Sequence, residues 1–135
     1  MARLLLDHGA RADIADESLL TPLYYACEND NLETVKLLLD LYSNLKLNIC
    51  SEYDGNYPIH LACENADFAM TKLLMERGAD IYAENKFGEI PMQLACVAGD
   101  LGIVKLMLEK NVDTNITNDS GETFLHLACM YGNTD

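Results

Sequence analysis

Apolar residues recur along this chain at helical spacing, in short runs that each end at a polar turn. Thr21 to Asn29 and Leu32 to about Leu41 read as one pair of short helices. A second pair runs from Pro58 to about Asn65 and from Phe68 to Arg77, the latter with Leu73, Leu74 and Met75 on its apolar side. Asp54-Gly55-Asn56 is turn chemistry, because Gly and Asn accept positive φ cheaply. Pro58 then suits a first helical turn, where its missing N–H loses no partner. Ala66-Asp67 separates the two helices and Gly78 supplies a left-handed cap. Ala79 to Tyr82 reads as a short extended exit toward the next turn, Asn85-Lys86-Phe87-Gly88. Met1 to His8 reads as a second helix lacking its first, and Ile116 to Tyr131 as a turn and first helix, before the chain stops at Gly132 to Asp135.

The head of the pair, Tyr57-Pro58-Ile59-His60-Leu61-Ala62-Cys63, is written four times. Thr21-Pro22-Leu23-Tyr24-Tyr25-Ala26-Cys27 precedes it; Ile90-Pro91-Met92-Gln93-Leu94-Ala95-Cys96 and Thr123-Phe124-Leu125-His126-Leu127-Ala128-Cys129 follow. The steps between the terminal cysteines are 36, 33 and 33 residues. A Gly-Ala-Asp exit and a second helix of Val-Lys-Leu type, at Val35 to Leu39 and Val104 to Leu108, recur in the same phase. A period near 33 with a Thr-Pro-Leu-His-x-Ala-like head resembles the ankyrin repeat family over nearly the whole chain.

That resemblance implies an all-α solenoid of stacked helix-turn-helix pairs with short β-hairpin-like turns, cut inside a repeat at both ends. The expected division is a partial repeat at 1–15, repeats at 16–51, 52–84 and 85–117, and a partial repeat at 118–135. Ala26, Ala62, Ala95 and Ala128 let first helices approach; Leu23, Ile59, Met92 and Leu125 are expected to fill the space between repeats. His60 and His126, with Tyr24 and Gln93 in the other copies, hold the position that bonds neighbouring turns in the family. Three departures stand out. Leu19 takes the place of a turn glycine, which predicts a distorted turn. Asn111 replaces a capping glycine. Residues 42–54 carry three extra residues, with Leu45, Leu47 and Ile49 alternating as in a short extended piece. That stretch reads as either a tolerated insertion or a protruding contact loop.

Composition narrows the function. Nine basic against 22 acidic residues give a net charge of −13, which disfavours nucleic acid as a partner. No apolar run approaches the roughly 18 residues of a membrane helix, and Leu4-Leu5-Leu6 is too short for a secretory signal. Cys27, Cys63, Cys96 and Cys129 occupy one repeat position, so they lie a helix spacing of about 8–10 Å apart. That separation suits neither a disulfide nor a metal site. They read as a row of small buried thiols, and Cys50 as the more exposed one. Reduced thiols fit an intracellular, cytoplasmic setting. His60 and Cys63 share one helix face but lack an orienting third group. Gly99-Asp100-Leu101-Gly102 has no phosphate-loop lysine, and Asp113 to Asn118 breaks the calcium-loop pattern. No catalytic residue, metal or cofactor is expected.

The family architecture implies a concave surface of turn tips and first-helix ends. In this chain that places Asp16, Glu17, Glu28, Asn29, Glu52, Tyr53, Asp54, Glu64, Asn65, Asn85, Lys86, Phe87, Val97, Asp119, Met130 and Tyr131 on it. Arg3, Lys36, Lys72, Arg77, Lys105 and Lys110 fall on second helices instead, leaving Lys86 as the one tip cation. The expected partner-binding residues are Glu28, Asn29, Glu52, Tyr53, Asp54, Glu64, Asn65, Asn85, Lys86, Phe87, Asp119 and Tyr131. Such a face favours a basic protein partner, against the plainer reading that surface acid only keeps the chain soluble. The leading expectation is a non-catalytic protein-binding module, a monomer or a segment of a longer array. The alternative is a structural or regulatory segment of a larger enzyme or channel.

Overall fold

A computed structural model describes residues 1–132, and residues 133–135 of the final partial repeat lie outside the described residues. Eight helices occur among the described residues: α1 (Ala2–Asp7), α2 (Pro22–Glu28), α3 (Leu32–Leu41), α4 (Pro58–Glu64), α5 (Phe68–Glu76), α6 (Pro91–Ala98), α7 (Leu101–Leu108) and α8 (Phe124–Met130). None is longer than ten residues, below the length at which an isolated helix is stable in water. Each therefore depends on its neighbours. α2, α4, α6 and α8 pack in one row, α3, α5 and α7 in a second, and each of α2, α4 and α6 also packs on the helix that follows it.

Side-chain caps start the helices of the second row. Asn31, Asp67 and Asp100 accept the N–H of Thr34, Met70 and Ile103 at 3.1, 2.9 and 2.9 Å. Between the rows lies one core. Leu23, Ile59 and Met92 fill it from the first row, with Val35, Met70, Leu74, Ile103 and Met107 from the second. Ala62, Ala95 and the thiols of Cys27, Cys63 and Cys96 are buried beside them, as expected. Leu125 departs from expectation at 72% exposed, as does Cys129. α8 packs on α6, and among the described residues no helix covers its other side.

The backbone repeats a set of left-handed positions. Turn tips place Leu19, Gly55, Gly88 and Gly121 at φ 60°, 75°, 70° and 76°. Corners between paired helices place Asp30, Ala66, Gly99 and Gly132 at 54°, 55°, 78° and 74°. Helix exits place Gly9, Gly78 and Asn111 at 90°, 92° and 59°. Leu19 thus keeps the turn that its side chain predicted it would distort, at a steric cost of about 1–2 kcal/mol. Asn111 takes the cap role as expected. The set is broken once, at Tyr42, where α3 ends at φ −129° and the chain enters the extra residues.

Two expected extended pieces are turns or bends instead. Tyr82 N–H donates to Asp80 Oδ1 at 2.9 Å, folding the exit after Gly78 into a turn. Leu45 and Leu47 face the core rather than solvent, so the extra stretch lies against the body of the protein instead of protruding. It leaves a cleft of about 510 Å³ between itself and Gly9 to Asp13. The hairpin-like tips contain no strand among the described residues. Single backbone bonds join them instead: Lys86 N–H donates to the Asp54 carbonyl at 2.9 Å, and Asp119 N–H to the Phe87 carbonyl at 3.0 Å.

This stacking makes equivalent glycines unequal. A Cβ on Gly55 would sit 2.7 Å from the Lys86 nitrogen, inside the bond that joins the tips, whereas one on Gly121 meets nothing within 4 Å. Gly121→Ala is expected to cost only the left-handed backbone penalty of about 1–2 kcal/mol, and Gly55→Ala clearly more. Urea unfolding followed by circular dichroism reads the difference; equal losses would contradict the tip-to-tip contact.

Candidate partner-binding face

The tips are held in place by a buried side chain at the fourth position of the first three heads. His60 is fully buried. Its Nδ1 accepts the Tyr57 N–H at 3.1 Å, which leaves the proton on Nε2 to be donated to the Glu89 carbonyl at 3.0 Å. One ring thereby caps its own helix and grips the next tip. Gln93 does the same: its Oε1 accepts the Ile90 N–H at 2.8 Å and its Nε2 donates to the Glu122 carbonyl at 3.4 Å. In the first copy Tyr24 is buried with its hydroxyl against Ser51, and burial pushes that phenol up to about 12. His126 keeps the capping half, with Nδ1 3.1 Å from the Thr123 nitrogen.

Within each tip an Asx side chain closes the turn. Asp16, Asn85 and Asn118 accept backbone N–H groups two and four residues on, at 2.9 to 3.1 Å. The tip at 51–56 differs. Ser51 takes the Asx role toward Tyr53, and Ser51 N–H donates to the Asn56 carbonyl, one residue further than in the other tips. One of the three extra residues therefore widens this tip, and Tyr53 stands on it 92% exposed.

Eleven of the twelve expected binding residues keep some exposure at the tips and first-helix ends, Asp54 the least exposed of them; Asn85 is the exception. Asn85 is 8% exposed, and its Nδ2 donates to Asn56 Oδ1 at 3.0 Å and Glu89 Oε2 at 2.9 Å. It belongs to the turn, because an amide with four bonds in reach is worth more to the tip than to solvent. Several others are tethered. Asn29 Nδ2 donates to the Tyr25 carbonyl at 2.8 Å, and Asn65 Nδ2 to Asp30 Oδ1 at 2.9 Å. Asp54 accepts from Asn56 at 2.9 and 3.1 Å. Lys86 Nζ donates to the Glu52 carbonyl, so the tip cation is held within the tip row. The carboxylates of Glu28, Glu52, Glu64 and Asp119 make no such bond among the described residues and are exposed.

The ion pairs lie elsewhere. Among the described residues they are Arg11–Asp13, Lys36–Glu33 and Arg77–Asp40, and none uses a tip or first-helix carboxylate. Two residues of this face were not singled out from sequence: Tyr25, 40% exposed, and Asp30. Tyr25 donates its hydroxyl to Asp16 Oδ2 at 2.6 Å, tying α2 to its tip and holding the Asp16 carboxyl below its usual range. The periodic alignment flags Tyr25, because Leu61 and Leu94 hold its place in the next copies.

Three of the thiols are poor nucleophiles. Burial pushes Cys27 and Cys63 up to about 12 and Cys96 up to about 11, so they stay protonated at neutral pH. Cys63 Sγ lies 3.9 Å from Thr71 Oγ1, and both His60 nitrogens are engaged in the tips. Cys50 is half-buried, and it is Cys129 that is exposed. No group of three His, Cys, Asp or Glu placed to hold a metal occurs among the described residues. No helix among them is long and apolar enough to cross a membrane.

Comparison with known proteins agrees with the repeat geometry. A family profile of ankyrin repeats in three copies matches residues 1–49 and 59–135. A second ankyrin profile matches residues 26–75. A Rickettsia felis protein described as an ankyrin repeat protein is 31% identical over 84 residues, which is 62% of this chain and 27% of that protein. The chain thus spans well under half of that relative's length.

The buried ring gives the fold a pH dependence. Burial lowers the His60 pKa below its ordinary 6.5, outweighing the Glu89 and Ala83 carbonyls and the Asp54 charge, which raise it. The unfolded chain therefore binds the proton more tightly. Stability from this residue is complete above about pH 6.5 and declines as pH falls from there toward the folded value. His60→Gln should keep both bonds, as Gln93 does, and flatten the decline between about pH 7 and 5. Thermal melts across that range read it; an unchanged slope in the variant would contradict the assignment.

Proposed function

The chain belongs to the ankyrin repeat family, and from that premise we propose that it is a non-catalytic protein-binding module. Ankyrin repeats generally mediate binding between proteins. Here the binding face would be the acidic, concave side made of turn tips and first helices, and the partner a protein with a basic surface. The observation that carries this reading is the sorting of charge. The carboxylates of Glu28, Glu52, Glu64 and Asp119 stand exposed without a hydrogen bond or ion pair among the described residues, while Arg3, Lys36, Lys72 and Lys105 sit on second helices and Arg77 and Lys110 just past their ends. In a chain of net charge −13, such a face attracts a cationic partner from a distance and speeds encounter at low salt.

The reading keeps the division into repeats at 16–51, 52–84 and 85–117 between partial repeats, acting as a monomer or as a segment of a longer array. The buried thiols of Cys27 and Cys63 support an intracellular, cytoplasmic setting. A second reading makes the same face contact another part of a larger polypeptide. It is favoured by the length of the Rickettsia felis relative, of which the match covers 27%.

The test is charge reversal. Glu28→Lys, Glu52→Lys and Glu64→Lys, all at exposed positions, should leave the helical spectrum intact. The triple variant should lose the proteins captured from a lysate by the parent chain, and the loss should grow at low salt. An unchanged captured set would remove the face from consideration.

A further inference from the structure

The first-helix ends form a ladder whose chemistry changes halfway along. One repeat position runs Glu28, Glu64, Val97, Met130; the next runs Asn29, Asn65, Ala98, Tyr131. These lie at the C-terminal ends of α2, α4, α6 and α8, the four helices packed in a row. On α2 and α4 the amides of Asn29 and Asn65 are spent within the protein, so the carboxylates of Glu28 and Glu64 are the groups left to meet a ligand. On α6 and α8 the same places carry no charge. Val97 is half-buried, Ala98 is exposed, and Met130 and Tyr131 are 56% and 57% exposed. The tips follow suit in part. Tyr53, 92% exposed, stands beside Glu52 on the tip before α4, and Phe87, 59% exposed, on the tip before α6. Asp119 is the one free carboxylate at the tip beside the apolar half.

We infer that this face is bipartite and takes a linear segment of a partner in which a Lys- or Arg-rich half is followed or preceded by an apolar half. The inference rests on the protein-binding reading above and adds the order of chemistry along the face. The basic half lies over Glu28, Glu64 and Tyr53, where a guanidinium can pair with a carboxylate and stack on the exposed ring. The apolar half lies over Ala98, Met130 and Tyr131, where burying both surfaces removes them from water. Helices in a row are about 8–10 Å apart, so four positions span about 24–30 Å. An extended segment of about eight or nine residues, at roughly 3.3 Å each, covers that length. Charge complementarity selects this occupant: the chain carries −13, and its first two ladder rungs place carboxylates where no intramolecular cation reaches them.

The test uses the full chain and three fluorescently labelled synthetic peptides of equal length, read by anisotropy at two salt concentrations. One has a Lys/Arg block followed by a Leu/Phe block, one interleaves the same residues, and one is Lys/Arg throughout. The block peptide should bind at least about tenfold more tightly than either control. Ala98→Gln with Met130→Gln, both at exposed positions, should weaken block binding about tenfold and leave its salt dependence unchanged. Glu28→Lys with Glu64→Lys should instead flatten the salt dependence. If all three peptides bind alike and Ala98→Gln with Met130→Gln changes nothing, the bipartite inference fails while the acidic-face reading stands. If no peptide binds and Glu28→Lys with Glu64→Lys has no effect on captured proteins, both fail. The peptide comparison on the unaltered chain decides the matter even where a variant does not fold.

Discussion

No helix among the described residues can hold itself together, and that constraint shapes everything else. With ten residues at most, each helix gains too few backbone bonds to offset its nucleation cost. Its stability has to come from the flank it hides against the next pair. The small residues Ala62 and Ala95 let the first helices close up, and Ile59, Met92, Leu74 and Met107 fill what remains. Stability is then a sum over neighbours, as in other stacked repeats. Leu4 and Leu5 on α1 and Leu125 on α8, helices with few packed neighbours among the described residues, are exposed accordingly.

Apolar stacking fixes the helices but not the loops between them, which carry much of the face proposed to bind. That task falls to polar side chains that reach from one pair to the next. His60 and Gln93, different in chemistry, each cap their own helix and donate to a carbonyl 29 residues on. Asn85 continues the work by bonding Asn56 across the same gap. Among the described residues no buried side-chain nitrogen or oxygen lacks a hydrogen-bond partner, and satisfied networks of this kind stiffen the edge they form. The side chains of Glu28, Glu52, Glu64, Asp119, Tyr53 and Phe87 lie outside that network and are exposed, as the proposed contact requires.

The helices, their order and the buried rows were legible because period and pattern agree at every copy. The turn chemistry was legible where Gly marked it. Leu19 keeps its turn because a propensity describes one residue, and here the Asp16 carboxylate accepts two N–H groups that hold the turn against it. Asn85 was misjudged because a polar residue at a tip reads as surface until its four bonds are visible. The stretch at 42–50 reads as alternating, and alternation does not say which partner the apolar side finds; Leu47 finds the core. Exposure of Cys129 depends on what packs over α8, which no local pattern encodes.

Neighbour shielding is tested most directly by hydrogen exchange, resolved residue by residue. The account predicts the slowest amides in α4 and α6, which have pairs on both sides, with protection falling stepwise toward α1 and α8. Uniform protection along the chain, or slowest exchange in the outer helices, would contradict it.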